Sequence, residues 1–587
     1  MSTRSGHLVA ASALVASLAG LGAAGHAWAQ PAQEAALPLT PPARFITDVE
    51  ESEALQVLVE ESIASTFVSG VRNLDWQRAA AALSPDLRAR FPRPEDGIVI
   101  EDDKLRIRKY DGTDLDVLDR AGFLDGLRAH VSSWTSVERA SWHVFEFLAE
   151  PDRQRAYLKA HLELGGPESG GARSVLNATV VVEAVVASED RWLIERLELA
   201  EGMRVENPAP PFRDITDAVG LHFNSSEANQ QLRQEILNTR TSLIDSGLNV
   251  VDWNRDGFWD IVATKSWEHS VVFVNDGKGG FVRESLGFQG RRLIPSQVLV
   301  VDLDNDGMDE LVSNRVLYRG ANASMAIHTR RNGAWVALSR ALEFETVPGL
   351  EETEALSMTA ADVNGDGLID LFVAAYENNQ SRDPSRFNNV NATDGSDNLL
   401  FINHGGLRFT EESDARGITG TQYTYVAQFF DLDQDDDVDL VEGNDYGKNV
   451  VWDNQGDGTF RALPDHPLAR DPNFTMGFSI ADWDNTGQWS LYISNMYSHA
   501  GNRVVRLAEA SMSDEMHAQI KLLAEGNQLF TLDQGLGPAA DQAHSLAVND
   551  GGWAWGSVFC DIDNDGDKEL FVANGNASFV DPEAPDF

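Results

Sequence analysis

From residue 252 onward a nine-residue phrase keeps returning: DWNRDGFWD at 252–260, DLDNDGMDE at 302–310, DVNGDGLID at 362–370, DLDQDDDVD at 431–439, DWDNTGQWS at 482–490 and DIDNDGDKE at 561–569. Each copy runs into a short apolar stretch that reads as a strand, such as Ile261-Val262-Ala263, Leu371-Phe372-Val373 or Leu570-Phe571-Val572. Successive starts lie 50, 60, 69, 51 and 79 residues apart. A period of about 50 residues with variable insertions belongs to arrays of one supersecondary unit, and suits propeller blades, whose insertions fall in loops. The expected class is mainly β: a six- or seven-bladed β-propeller over 212–587, because a seventh blade need not carry a loop.

The spacing inside the phrase carries chemistry. In a tight loop the side chains at positions 1, 3 and 5 converge on one point, a carbonyl at position 7 joins them, and a carboxylate at position 9 completes a cage of oxygens. The candidate ligands are Asp252, Asn254, Asp256, Phe258 and Asp260 in the first loop and Asp302, Asp304, Asp306, Met308 and Glu310 in the second. The third offers Asp362, Asn364, Asp366, Leu368 and Asp370, the fourth Asp431, Asp433, Asp435, Asp437 and Asp439, and the last Asp561, Asp563, Asp565, Asp567 and Glu569. Position 6 must turn the chain at positive φ; it is glycine except at Asp436. Hard oxygen donors without His or Cys point to Ca²⁺. Aspartate–glycine turns that bind nothing explain any single copy equally well. Five copies together place 22 Asp and Glu in 45 residues, which repel one another without a counter-ion. About five calcium sites are expected, and none in 482–490, where Thr486 and Ser490 stand at positions 5 and 9.

Downstream of several loops comes a strand, an Asn-x-Gly turn and an aromatic residue: FVNDGKGGF (273–281), FINHGGLRF (401–409) and WDNQGDGTF (452–460). Together these elements resemble the FG-GAP/VCBS repeats of integrin α-like propellers, over about 212–587. The phrases MGFSIADWDNTGQWSLYISNM (476–496) and WAWGSVFCDIDNDGDKELFVANG (553–575) are most similar to the cartilage-acidic-protein-like (CRTAC/UnbV) family. The resemblance implies calcium in the aspartate loops and partner recognition on the opposite face of the propeller. FRDITDAVGL (212–221) matches FTEESDARGI (409–418), the outer end of a repeat, so the N-terminal end of the propeller is expected to complete its last blade.

Ahead of the repeats, Arg4, the apolar run Leu8 to Ala24 and Ala27-Trp28-Ala29 have the layout of a secretory signal over 1–29. Residues 30–49 read as a Pro/Ala-rich tether. An amphipathic helix follows, with Leu55, Leu58, Val59, Ile63, Phe67, Val71 and Leu74 at three- and four-residue steps, then a short helix around Phe123 to Val131. Strands are expected at 142–148, 155–164, 176–186 and 192–199. This α+β order over 50–206 resembles the NTF2-like (SnoaL-like) cone, whose cavity His143 and His161 would line. Asn207 to Pro211 reads as a linker.

With 46 basic against 92 acidic residues the net charge is −46, which repels phosphate backbones and makes nucleic acid an unsuitable partner. No segment after the signal reads as a bilayer span, and the lone Cys560 lies in an apolar strand and reads as core. The chain is therefore expected to be exported, to the periplasm, the cell surface or the medium, as a recognition or adhesion module for an extracellular protein or glycan. The alternative is a hydrolase or lyase acting on polysaccharides or esters, with its site in the cone or on the propeller face. Trp253, Trp259, Trp267, Trp553 and Trp555 are candidates for sugar stacking, although blade packing also accounts for them.

Overall fold

A computed structural model describes residues 39–574 apart from 102–104, 113–114, 189–190, 209–211, 213, 225, 228–229, 232–245, 266–269, 287–297, 314–323, 333, 345–352, 379–391, 497–512, 524 and 533–539. The signal, the first part of the tether and most of the linker lie outside the described residues. The chain forms two compact units, one of Met1–Arg213 with Tyr497–Glu525 and Gly575–Phe587, the other of Asp214–Met496 with Gly526–Asn574.

In the first unit, helix α1 (Val49–Ile63) starts at Asp48, whose carboxylate accepts the Glu51 N–H. It continues through a π-turn (Ala64–Val68) into Ser69–Arg72. Val59, Ile63, Phe67 and Val71 are buried, as the periodicity predicts. Leu58 and Leu74 are exposed instead: the buried stripe runs through Ser52, Gln56 and Glu60, and Leu74 lies beyond the helix at φ 56°. Glu60 is held by Gln56 and by the Val144 N–H. Helix α2 (Trp76–Ala81) and helix α3 (Arg120–Val131) follow, and a further helix of this unit spans Asp514–Leu523.

Seven strands form the sheet: β1 (Leu83–Arg90), β2 (Ile98–Glu101), β3 (Arg106–Asp111), β4 (Arg139–Ala149), β5 (Arg155–Pro167), β6 (Arg173–Ser188) and β7 (Arg191–Asn207). The order is β2-β3-β7-β6-β5-β4, with β1 parallel to β7. The last four are the strands expected from alternation; α2 and β1 to β3 are short, and β1 and β3 carry three and four charges, so alternation does not mark them. Phe67, Phe91, Phe123 and Trp142 fill the core, Phe67 stacking on Phe123 at 6.0 Å. The tether is corrected from residue 39 onward. Leu39 and Ile46 are buried, and their N–H groups bond Glu198 (3.1 Å) and the Ala149 carbonyl (2.9 Å).

His130, fully buried on α3, donates its Nε2–H to the Pro92 carbonyl (2.9 Å) and packs edge-on to Phe91 and Tyr110. Burial pushes its imidazole down to about 4, with Arg204 and Arg108 adding to the effect. The unfolded chain therefore binds the extra proton between about 6.5 and 4, so stability present above pH 6.5 is lost as the pH falls through that window. Acid titration of the full chain is expected to cost the first unit about 3 kcal/mol by pH 4. His130→Gln, which keeps a donor for Pro92 but cannot ionise, should flatten this component; an unchanged acid profile in that variant would rule the mechanism out.

In the second unit six sheets follow one another, at 246–285, 298–343, 353–411, 423–462, 475–531 and 554–574. In each, the first strand runs into a nine-residue loop and the second leaves it. Neighbouring sheets interleave apolar side chains: Val262 and Val272 with Val298 and Leu311, Val312 and Ile327 with Leu371 and Phe401, and Phe372 and Leu400 with Phe429 and Leu440. Val441 and Val451 pack with Leu491 and Ile493, and Tyr492 with Phe559 and Leu570. This is a β-propeller arrangement. The first four sheets have four strands, the fifth three and the last two among the described residues.

The match between 212–221 and 409–418 has a physical counterpart. Gly417 (φ 87°) turns against the Phe460 carbonyl on the outer strand of the following sheet, and Gly220 (φ 82°) turns against the Phe281 carbonyl in the same way. A Cβ would meet those oxygens at 2.4 and 2.8 Å, so both positions exclude any other residue. Phe212 is exposed, and no pairing of its segment with the last sheet is present among the described residues.

Candidate metal centres

Each loop is wound tightly by its own backbone. In the loops starting at Asp252, Asp362, Asp431, Asp482 and Asp561, one oxygen of that first aspartate accepts the N–H of position 5 and the other the N–H of position 6. The position-5 carboxylate accepts the N–H of position 7 in the five acidic loops, as Asp256 does for Phe258 at 2.9 Å and Asp306 for Met308 at 2.7 Å. Position 6 is left-handed in every loop, including Asp436 at φ 75°. So is position 4, where Arg255, Asn305, Gly365, Gln434, Asn485 and Asn564 stand, a second turn the sequence reading missed. Asn305 and Asn485 had signalled it, since Asn tolerates that conformation better than most residues.

The winding brings acids together. Ligand atoms of Asp302, Asp304 and Asp306 lie within 4.8 Å of one another, as do those of Asp431, Asp433 and Asp439, of Asp561, Asp563 and Asp565, and of Asp565, Asp567 and Glu569. In the loops at 252 and 362, Asn254 and Asn364 supply the third position and each accepts the N–H of position 5 at 3.0 Å. The Oδ1 atoms of Asp302, Asp433 and Asp437 are buried without a hydrogen-bond partner. Oxygens of this kind are costly unless something positive takes them up. Burial, with Asp435 and Asp433 beside it, pushes Asp437 up to about 6, and burial raises Asp304 and Asp433. At position 7, where the sequence offers only a carbonyl for the cage, the Asp567 carboxylate joins one of these groups, and Asp437 has a buried, unpartnered Oδ1. In the loop at 482 the Thr486 hydroxyl donates to Asp484 at 2.8 Å, and Ser490 meets Thr531 at 3.3 Å. That loop satisfies itself with neutral groups.

Position 9 has a second occupation. Asp260, Glu310, Asp370 and Asp439 are buried, and one oxygen of each accepts the N–H of position 2, as Asp439 does from Leu432 at 2.9 Å. The other oxygen accepts the N–H of Asn275, Asn403 or Asn454 in the third strand, or the Thr329 hydroxyl in sheet two. Burial pushes Asp370 up to about 6 and Asp439 to about 7. The asparagines then reach onward. The Asn403 amide donates to the Ile369 carbonyl (3.0 Å) and to Leu303 in the preceding sheet (2.8 Å); Asn454 does the same to Val438 and Val363. In the sequence they looked like hairpin residues only.

Trp253 stacks with Trp335 at 5.4 Å under Arg330, and Trp555 packs against Tyr425. Trp259 is 66% exposed, Trp553 is partly buried, and Trp267 lies outside the described residues. Cys560 is partly buried, short of the core position expected for it. His143 and His161 face each other across β4 and β5 on the side of the sheet away from Trp142 and Val144, with Phe145 stacked on His161 at 4.5 Å, so they do not line the packed interior. Among the described residues no helix is long and apolar enough to cross a membrane.

The profile of the FG-GAP-like repeat family matches residues 252–313 and 431–493, each match running from one loop through the second strand of the next sheet. No curated protein matches the chain. Similar solved structures include a conserved protein from Planctomyces limnophilus, 14% identical, covering 25% of this chain and 91% of its own, with a TM-score of 0.18. A ketosteroid isomerase-like protein from Erwinia carotovora atroseptica is 9% identical, covering 24% of this chain and 92% of its own, with a TM-score of 0.18. LinA is 10% identical, covering 31% of this chain and all of its own, with a TM-score of 0.20.

Proposed function

We propose that this chain is an exported recognition or adhesion module, a six- or seven-bladed propeller of the CRTAC/UnbV type stabilised by calcium and directed at an extracellular protein or glycan. The observation that carries the reading is the recurrence of acidic loops across a propeller of FG-GAP-like repeats, two of them, at 302 and 431, with buried, unpartnered carboxylate oxygens. Calcium would be held by positions 1, 3 and 5 of the five acidic loops, with carboxylates of positions 7 and 9 where they face the group. Its chemistry there is charge neutralisation: it holds the loops wound and leaves the remaining propeller surface free to bind. Asp437 and Asp439, whose carboxyls burial pushes up to about 6 and about 7, would release any remaining proton on binding it.

The test is a binding screen of the full chain against glycan and extracellular-protein arrays, in millimolar calcium and in chelator. Specific binding that disappears on chelation is expected. Failure to bind either class, or turnover of a polysaccharide or ester on the same arrays, would refute the reading.

A further inference from the structure

We propose that the first unit holds a small oxyanion, a carboxylate or a sulfate or phosphate group, between β3, β7 and the end of α3. Strands β3 and β7 are antiparallel, with Arg108 directly opposite Arg204 and Arg106 opposite Glu206. Two like charges facing each other across a sheet are destabilising unless something negative lies between them. Arg204 is accounted for. It donates to the His130 carbonyl at 2.5 Å and to Glu168 at 2.9 Å, and lies over Trp134 at 5.6 Å.

Arg108 is not accounted for. Its guanidinium reaches only the carbonyls of Glu95 (3.4 Å) and Gly97 (3.3 Å), and no carboxylate pairs with it among the described residues. Arg106, half exposed, forms an ion pair with Glu206 at 3.9 Å on the rim of the same group of side chains. A cavity of about 210 Å³ opens among these side chains, floored by Ala129 and Ser133. The Ser133 hydroxyl accepts from Arg204 at 3.4 Å, which leaves its own proton to donate. Guanidinium forks match the oxygens of carboxylates and sulfates. Glu206 in the wall offsets one of the three guanidinium charges, which leaves room for one oxyanion group and not for several. The volume is below the roughly 300 Å³ at which ligand pockets ordinarily begin, so the guest is at most one acidic sugar or the anionic group of a larger molecule. In a chain of net charge −46 this is a local reversal of sign.

The experiment is calorimetric titration of the full chain with sodium sulfate and, separately, sodium glucuronate, against sodium chloride at equal ionic strength. Saturable binding of at least one is expected, and the stronger of the two identifies the tetrahedral or the planar anion. Arg108→Gln should weaken it about tenfold, the size of one lost charge-assisted hydrogen bond. Arg106→Gln, at a half-exposed position, should weaken it too, and Arg88→Gln, an exposed arginine on β1, should not. Absence of saturable heat with both anions, or unchanged binding in both pocket variants, would overturn the proposal.

Discussion

Chelation is expected to lower the melting temperature of the propeller steeply and leave that of the first unit nearly unchanged. Extracellular calcium modules bind with Kd of about 10⁻⁴ to 10⁻³ M. At about 1 mM calcium and a Kd near 0.1 mM, each occupied loop contributes about 1.4 kcal/mol. Five loops give about 7 kcal/mol, as much as the whole stability of a typical domain. The loop at 482–490 adds nothing, because Thr486 already donates to Asp484 where the other copies carry a fifth-position carboxylate. Protein dialysed to equilibrium in about 1 mM calcium should therefore carry near five ions per chain above the buffer level by elemental analysis. The loss should also depend on pH. Asp437 and Asp439 have folded pKa values of about 6 and about 7, above the ordinary 3.8, so the ion-free fold binds more protons than the unfolded chain in between. Ion-free propeller is thus more stable near pH 5 than near pH 8, and added calcium should stabilise it most at the higher pH. Calorimetry with no chelator-sensitive transition, or six tightly held ions, would sink the calcium reading.

What could be read in the sequence followed periodicity. The nine-residue phrase marked the end of one strand and the start of the next in all six sheets, because only a tight turn tolerates glycine or aspartate at left-handed φ between two apolar runs. The long strands β4 to β7 were visible through alternation over many residues. Strand β1 was not, since Pro85 and three charges interrupt its pattern and it is held in place by parallel pairing with β7, a tertiary cause. Burial of Leu39 and Ile46 was hidden for the same reason: proline-rich segments look like tethers until a surface accepts them. At the candidate centres the residue types were legible and the division of labour was not. Position 9 was read as a cage ligand, and its two backbone hydrogen bonds depend on an asparagine between 15 and 33 residues downstream, at a separation that varies from blade to blade.

Removing the Asn403 side chain is expected to cost the propeller about 3–5 kcal/mol, with or without calcium. The residue is fully buried. Its amide N–H₂ satisfies Ile369 in its own sheet and Leu303 in the sheet before, while its carbonyl accepts the Gly405 N–H at 3.0 Å. Alanine would leave those three backbone groups without the partner they have now, and each buried orphan costs about 1–3 kcal/mol. A drop of that size corresponds to roughly 4–7 °C in Tm for a unit of this length. Aspartate should be no better, because it replaces the amide donors with charge facing two carbonyls. The calcium dependence separates this staple from the cages. Asp302→Asn removes one of the clustered carboxylates, so its cost should be present in calcium and vanish, or change sign, in chelator, where one fewer charge crowds the loop. Asn403→Ala should cost the same in both, since none of the partners of its side chain is a carboxylate oxygen and the backbone bond to Asp370 is kept. Thermal denaturation of wild type and the two variants, each with and without chelator, measures this directly. An Asn403→Ala penalty below about 1 kcal/mol, or one that disappears when calcium is removed, would show that the sheets are joined through the loops' ions and not through this side chain.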